Sequence, residues 1–258
     1  MLVRSAFVEV SPFFWARLRA GQFKRPYSQA ELASLSSLPF VNRGFVNDRV
    51  TGELAYAGRD RGIMLHGAIL PDVGLTYALG VFNGEGIHSP ELDADGRKDG
   101  VVRLSIAPTT WFEAGVNASM KWFDTESRGG FAKRAGMYGG DVVFSPGSAR
   151  VTAEFHWGDN HLQVDTPQLM GGLLELSNRF RVGSSPYLAL EPVMRGEWLV
   201  FDTGDYDSSV WEGLVGANLH VTKYMRVMLD ASYIHAGKRA PDFVSSHSRL
   251  LMKLAVDL

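Results

Sequence analysis

The stretch Leu250-Leu251-Met252-Lys253-Leu254-Ala255-Val256-Asp257-Leu258 decides the fold. Its even positions, Leu250, Met252, Leu254, Val256 and Leu258, are all apolar. Its odd positions, Leu251, Lys253, Ala255 and Asp257, are mostly polar or small. Successive side chains of an extended chain point to opposite faces, so this is a strand with one apolar and one wetted face. In lipid the apolar row meets hydrocarbon and the other row meets an aqueous interior. Upstream, Met225, Val227, Leu229, Ala231 and Tyr233 alternate with Arg226, Asp230 and Ser232, and only Met228 breaks the polar row. Trp211, Gly213, Val215, Ala217 and Leu219 alternate with Glu212, Leu214, Gly216, Asn218 and His220. Val151, Ala153, Phe155 and Trp157 do the same against Arg150, Thr152, Glu154 and His156. A soluble sandwich also alternates, but it has no reason to keep one row apolar while placing Arg, Glu and Lys along the other.

Thirteen such segments run along the chain, and the connections between them alternate short and long. The short ones are at 11–12, 71–73, 108–110, 146–147, 183–185 and 221–222. The long ones are near 25–60, 84–99, 123–133, 158–167, 201–208 and 236–247, and they are rich in Gly, Asp, Asn and Lys. Outer-membrane barrels have short periplasmic turns and longer outer loops. The expectation is an all-β, transmembrane antiparallel β-barrel of about 13 strands, one barrel domain over 1–258, in the outer membrane of a Gram-negative bacterium. Aromatics near the apparent strand ends suggest interfacial girdles: Phe13, Phe14, Trp15, Trp122, Phe123, Phe144, Trp157, Trp198, Phe201, Tyr224 and Tyr233. No apolar run reaches the roughly 18 residues of a membrane helix. Met1-Leu2-Val3-Arg4 leads straight into a strand pattern, and thirteen is odd where bacterial single-chain barrels are even. The chain therefore reads as N-terminally truncated.

Other chemistries leave no trace. There is no Walker A loop, dinucleotide turn or His-Glu-x-x-His, and no basic cluster interleaved with aromatics for nucleic acid. The acidic loop at 92–99 could hold a metal, but acidic outer loops are usually solvated, so no metal site and no cofactor are expected.

Residues 17–84 carry a family resemblance. Arg17-Leu18-Arg19-Ala20-Gly21-Gln22-Phe23-Lys24-Arg25-Pro26-Tyr27-Ser28 with Glu31-Leu32, then Leu38–Arg43, Gly58–Gly67 and Gly80–Gly84, resemble the phosphate-selective porins O and P in order and spacing. That resemblance implies a sixteen-stranded, trimeric outer-membrane channel with three strands upstream of Met1. It also implies that the loop at 25–60 folds into the lumen as a pore constriction. Within that loop Ser28 and Glu31 are spaced as a capping box for a short helix over Ser28–Ser37.

Anion selection in a pore needs fixed cations, and Arg forks match oxyanions in pairs. The constriction and anion-binding candidates are Lys24, Arg25, Arg43, Arg49, Arg59 and Arg61, and charge reversal at Arg43 or Arg59 would favour cations. Strand parity adds a lumen-lining set: Arg17, Arg19, Arg103, Arg150, Arg179, Arg195, Arg226 and Arg249. Eight carboxylates share that parity: Glu113, Asp141, Glu154, Glu175, Glu191, Glu197, Glu212 and Asp230. Two readings therefore stand, an arginine ladder like the family's or a wall of paired charges. The leading function is a passive diffusion channel for small anions, with phosphate or polyphosphate implied by the resemblance. Its partners are outer-membrane lipid, small anionic solutes and, by resemblance, two further copies in a homotrimer, and no nucleic acid. The alternatives are a barrel enzyme of lipase or protease type, using His161 or His235 near the outer ends, and a structural or adhesive barrel.

Overall fold

The computed structural model describes residues 4–84, 86, 96–123, 133–162, 167–185, 187–241 and 244–256. The acidic run at 92–95 and the terminal Leu258 lie outside them. The strands are β1 (Ala6–Phe13), β2 (Ala16–Lys24), β3 (Arg59–Leu70), β4 (Leu75–Phe82), β5 (Asp99–Thr109), β6 (Phe112–Phe123) and β7 (Lys133–Phe144). They continue with β8 (Ala149–Asp159), β9 (Gln168–Asn178), β10 (Phe180–Arg181), β11 (Ala189–Val200), β12 (Ser209–His220), β13 (Met225–Ala236) and β14 (His247–Val256). All belong to one antiparallel sheet in which chain neighbours pair. The two-residue β10 sits off the path, on β11, while β9 and β11 pair directly. The expected thirteen segments are thus the thirteen strands of the path, and β10 is an arm that alternation could not reveal. Among the described residues β1 and β14 end the path. No helix among them is long and apolar enough to cross a membrane.

The dyad pattern becomes two faces. Leu250, Met252 and Leu254 are 72%, 77% and 62% exposed, whereas Asp230 and Met228 on the neighbouring strand are 1% and 0% exposed. Trp157, Trp198, Trp211 and Tyr233 lie exposed on the apolar face, and Trp15, Trp111 and Tyr224 are exposed at the short turns. Phe201 departs from the expected girdle: it is buried inside, with the Arg49 guanidinium 5.1 Å from its ring centroid.

The inner face is covered by residues 25–58, which leave the β2 end, cross the sheet and return to β3. They hold a short helix α1 (Gln29–Leu32) and a second, α2 (Phe45–Asn47), which runs into a π-helical turn, Asp48–Glu53. Their Tyr27, Val46, Val50, Leu54 and Tyr56 are buried against Val101, Met137, Leu169, Leu199, Val210 and Ile234 of the inner face. Those wall residues lie in the half of each strand nearer the long connections, so the interior is filled from that rim. Phe40 packs on Val193 and Leu214. Burying one such ring is worth about 1.5–3 kcal/mol. The apolar breaks in the polar row at Leu214 and Met228 are therefore no irregularity, because that part of the wall is covered rather than wet.

Candidate functional site

The inward segment is tied at its base by a buried ion cluster. Arg25 and Asp60 pair at 2.5 Å, Arg25 and Asp99 at 3.0 Å, and all three are buried. Asp60 also accepts from the backbone amides of Arg61 and Gly84, at 2.7 and 2.8 Å. Helix α1 is closed by cations distant in sequence. The Lys24 ammonium donates to the carbonyls of Glu31, Leu32 and Ala33, and the Arg43 guanidinium donates to those of Ala30 and Ala33. A helix end leaves such carbonyls unpaired, and positive charge there is favoured. The expected helix over Ser28–Ser37 is accordingly shorter, ending at Leu32. Half of the expected capping box is present: Ser28 Oγ accepts from the Glu31 amide at 3.3 Å, but the Glu31 carboxylate faces Arg43 at 3.5 Å instead of returning to Ser28.

The far wall holds the segment through its backbone. Glu154 on β8 accepts from the Ala30 amide and from Ser28 Oγ, the latter at 2.8 Å. Glu197 on β11 accepts from the Val46 amide at 2.9 Å, and Asp230 on β13 accepts from the Val41 amide at 2.8 Å. Arg195 on β11 donates to the Asn42 carbonyl and side chain at 3.0 and 2.7 Å, lies 2.6 Å from Glu197, and sits 4.8 Å from the Phe40 ring centroid. Asn218 donates to the Pro39 carbonyl and Arg226 to that of Ser36. Tyr27 Oη lies 3.2 Å from His156 Nδ1, and burial pushes its phenol well above the usual range. Gly139 on β7 faces this site: a methyl carbon there would run into Asn117 Oδ1 and stand 3.1 Å from Tyr27 Oη.

Because the segment leans on β8 to β14, it leaves a cleft along β1 to β5. This cavity of about 570 Å³ reaches from Lys24 and Arg59 near the long-connection rim to Phe14 and Thr76 near the short-turn rim. Arg17, Arg19, Lys24, Arg59, Arg103 and His66 line it, and among the described residues no Asp or Glu does. Arg19 is held by Glu9 at 2.6 Å and stands 4.4 Å from the Phe7 ring centroid. Arg103 is buried and forked onto Asp141 at 2.6 and 2.7 Å. Arg17 is exposed in the cleft and makes no hydrogen bond or ion pair among the described residues. A second basin of about 560 Å³ lies at the short-turn rim, lined by Arg150, Arg179, Arg181, Arg226, the single acid Glu191 and several serines.

The sequence-derived cations thus divide. Arg17, Arg19, Lys24, Arg59 and Arg103 meet at the first cleft, and Arg150, Arg179 and Arg226 at the second basin. Arg25, Arg43 and Arg195 are spent inside the fold, and Arg49 is too, donating to Asn160 Oδ1 at 3.0 Å beside Glu53. Arg249 pairs with Glu212 at 2.5 Å, and Arg61 stands half-buried opposite Gln22. Arg43 thus serves the end of α1, where its guanidinium meets the Ala30 and Ala33 carbonyls. Most wall acids are likewise committed, to Arg, His or the segment's amides, and Glu113 alone makes no hydrogen bond or close ion pair among the described residues. His66, which lines the cleft and lies 3.0 Å from Glu9, was not singled out in the sequence, although its parity with Met64 on β3 was the available signal.

The two histidines of the enzyme alternative do not converge. His161 is half-buried edge-on to Tyr56, and His235 lies on the outer face against Trp211. Burial, helped by Lys121 and Arg49, lowers the His161 pKa to about 4. The unfolded chain then binds more protons than the folded one between about pH 4 and 6.5, so stability falls as pH drops through that window. His161→Phe is expected to flatten that part of the pH–stability curve, read from denaturant midpoints at pH 7 and pH 5. An unchanged slope would remove His161 as its source.

No protein-family model matches the sequence, and no curated protein matches it. Solved structures do match in fold. OprB of Pseudomonas putida superposes with a TM-score of 0.64 at 10% identity, over 96% of this chain and 70% of that one. In-vitro folded OmpT, an outer membrane protein of Vibrio cholerae in its trimer form, gives 0.55 at 14% identity, over 96% and 76%. Outer-membrane expressed OmpT of the same organism gives 0.55 at 9%, over 90% and 70%. With its single antiparallel sheet, apolar outer row and polar inner row, this chain has the fold of outer-membrane β-barrels.

Proposed function

We propose that this chain sits in the outer membrane as a passive diffusion channel whose conducting route is the cleft along β1 to β5, and that the route favours small anions. One observation carries the reading: five Lys or Arg side chains and His66 line the cleft with no carboxylate among the described lining residues. A near-neutral chain can still be selective, because three of its wall acids face the segment on the far wall while Arg17 stays open to solvent in the cleft. An oxyanion entering the cleft meets the guanidinium groups of Arg17 and Arg59, which no carboxylate holds among the described residues, bound firmly enough to be recruited and loosely enough to leave. Phosphate or polyphosphate belongs to the same proposal, supported by the likeness of residues 17–84 to the phosphate-selective porins and by the preference of Arg for planar oxyanion pairs. So does a homotrimer.

Arg17→Glu tests it. A unit charge about 7 Å from a permeating ion is worth roughly 0.6 kcal/mol in water, so reversal swings about 1.2 kcal/mol before screening. The anion-to-cation permeability ratio is expected to fall several-fold in dilute salt and less in concentrated salt. An unchanged ratio in dilute salt would take the cleft out of the conducting route.

A further inference from the structure

The geometry points to a use for the wall acids that neither a ladder nor simple charge pairing requires: we propose that Glu154, Glu197 and Asp230 are positioning residues that clamp residues 25–58 to the far wall and so keep the β1–β5 cleft open. This rests on the channel reading above for its consequence, though not for its geometry.

Each acid accepts a backbone amide of the segment. Two of those amides belong to first turns of helices, where N–H groups have no partner inside the helix. The Ala30 amide is one residue into α1, and Glu154 takes it together with the hydroxyl of the cap residue Ser28. The Val46 amide is one residue into α2, whose cap position is Gly44, with no side chain to offer. Glu197 supplies the missing cap from the wall. Gly44 shows how closely the two fit. Its φ is +95°, and a methyl carbon built on it would stand 2.5 Å from Glu197 Cδ, inside the carboxylate. Only glycine satisfies both demands. Asp230 takes the third amide, at Val41, beside the Phe40 anchor.

The three points lie on β8, β11 and β13, all on the side away from the cleft. They oppose the base at Arg25 beside β3 and β5. With the clamp intact the segment leans one way. Released, it would remain tethered at both ends and swing toward β2 to β5, where Pro26 and Leu32 already border the cleft. Charged acceptors make hydrogen bonds roughly twice as strong as neutral ones, so carboxylate-to-amide replacement weakens the clamp without changing side-chain shape.

The experiment compares the intact protein with its Glu154→Gln/Glu197→Gln/Asp230→Asn variant, both folded in lipid, under limited trypsin digestion followed by mass spectrometry. Arg43 and Arg49 are largely buried in the unaltered protein and are expected to resist cleavage. In the variant, cleavage after one of them is expected at least ten-fold faster, while the heat-induced gel shift of the folded barrel is unchanged. Single-channel records are expected to change from steady current to repeated closures. Equal protection of both arginines in the two proteins overturns the clamp. Should the triple variant not fold, Asp230→Asn alone is read in the same way, since it touches a single amide and neither helix. A protein that carries no current but shows the difference in protection keeps the clamp and loses the channel reading.

Discussion

Arg195→Met is expected to lower the unfolding free energy by about 3–5 kcal/mol, the cost of leaving a buried charge uncompensated. Arg195 is 1% exposed and lies among two acids, Glu197 at 2.6 Å and Glu175 at 3.8 Å, both buried. It also holds Asn42 at two atoms and lies against Phe40. Methionine fills similar space but offers none of these hydrogen bonds. Denaturant unfolding of the folded barrel in micelles measures the loss. Adding Glu197→Gln is expected to recover part of it, because the orphaned negative charge is then gone. No recovery in the double variant would mean that packing, and not charge, sets the cost.

Arg25→Met is expected to cost a similar amount, about 3–5 kcal/mol, with a different consequence. Here the acids left behind are Asp60 and Asp99, and the group lost joins the base of the inward segment to β3 and β5. Asp60 keeps two backbone amides and stays put, whereas Asp99 keeps one, from Trp122 at 3.2 Å. Unfolding midpoints report the energy. Hydrogen exchange is expected to report the place, with faster exchange of amides over 25–32 while β11 to β13 stay protected. Uniform acceleration across the sheet would show that Arg25 supports the barrel as a whole.

The wall was legible in the sequence because a strand exposes its environment at every second residue. The row Leu250, Met252, Leu254 needs no partner to be understood, and its exposure in the structure follows directly. The segment at 25–58 was legible from its own residues as a long connection with one capping pattern, and only the resemblance implied that it folds inward. Its contacts join residues far apart in the chain, such as Asn218 to Pro39 and Arg195 to Asn42, and no local periodicity encodes them. Two traces of it were nevertheless present. Leu214 and Met228 interrupt the polar row where the segment covers the wall. Gly44 interrupts a segment whose helix then lacks a cap of its own. The equal numbers of arginines and carboxylates were ambiguous for the same reason. Parity tells which side chains face inward, but not which of them the inward segment consumes.

The measurement that bears most directly on the whole account is the reversal potential of the protein in a planar bilayer under a potassium chloride gradient. A potential on the chloride side is predicted, with the preference weakening as salt rises, since the cations lining the cleft include Arg17, which no carboxylate holds among the described residues. A potential at zero or on the potassium side would contradict it. The barrel would stand, but the cleft along β1 to β5 would not be the route that selects.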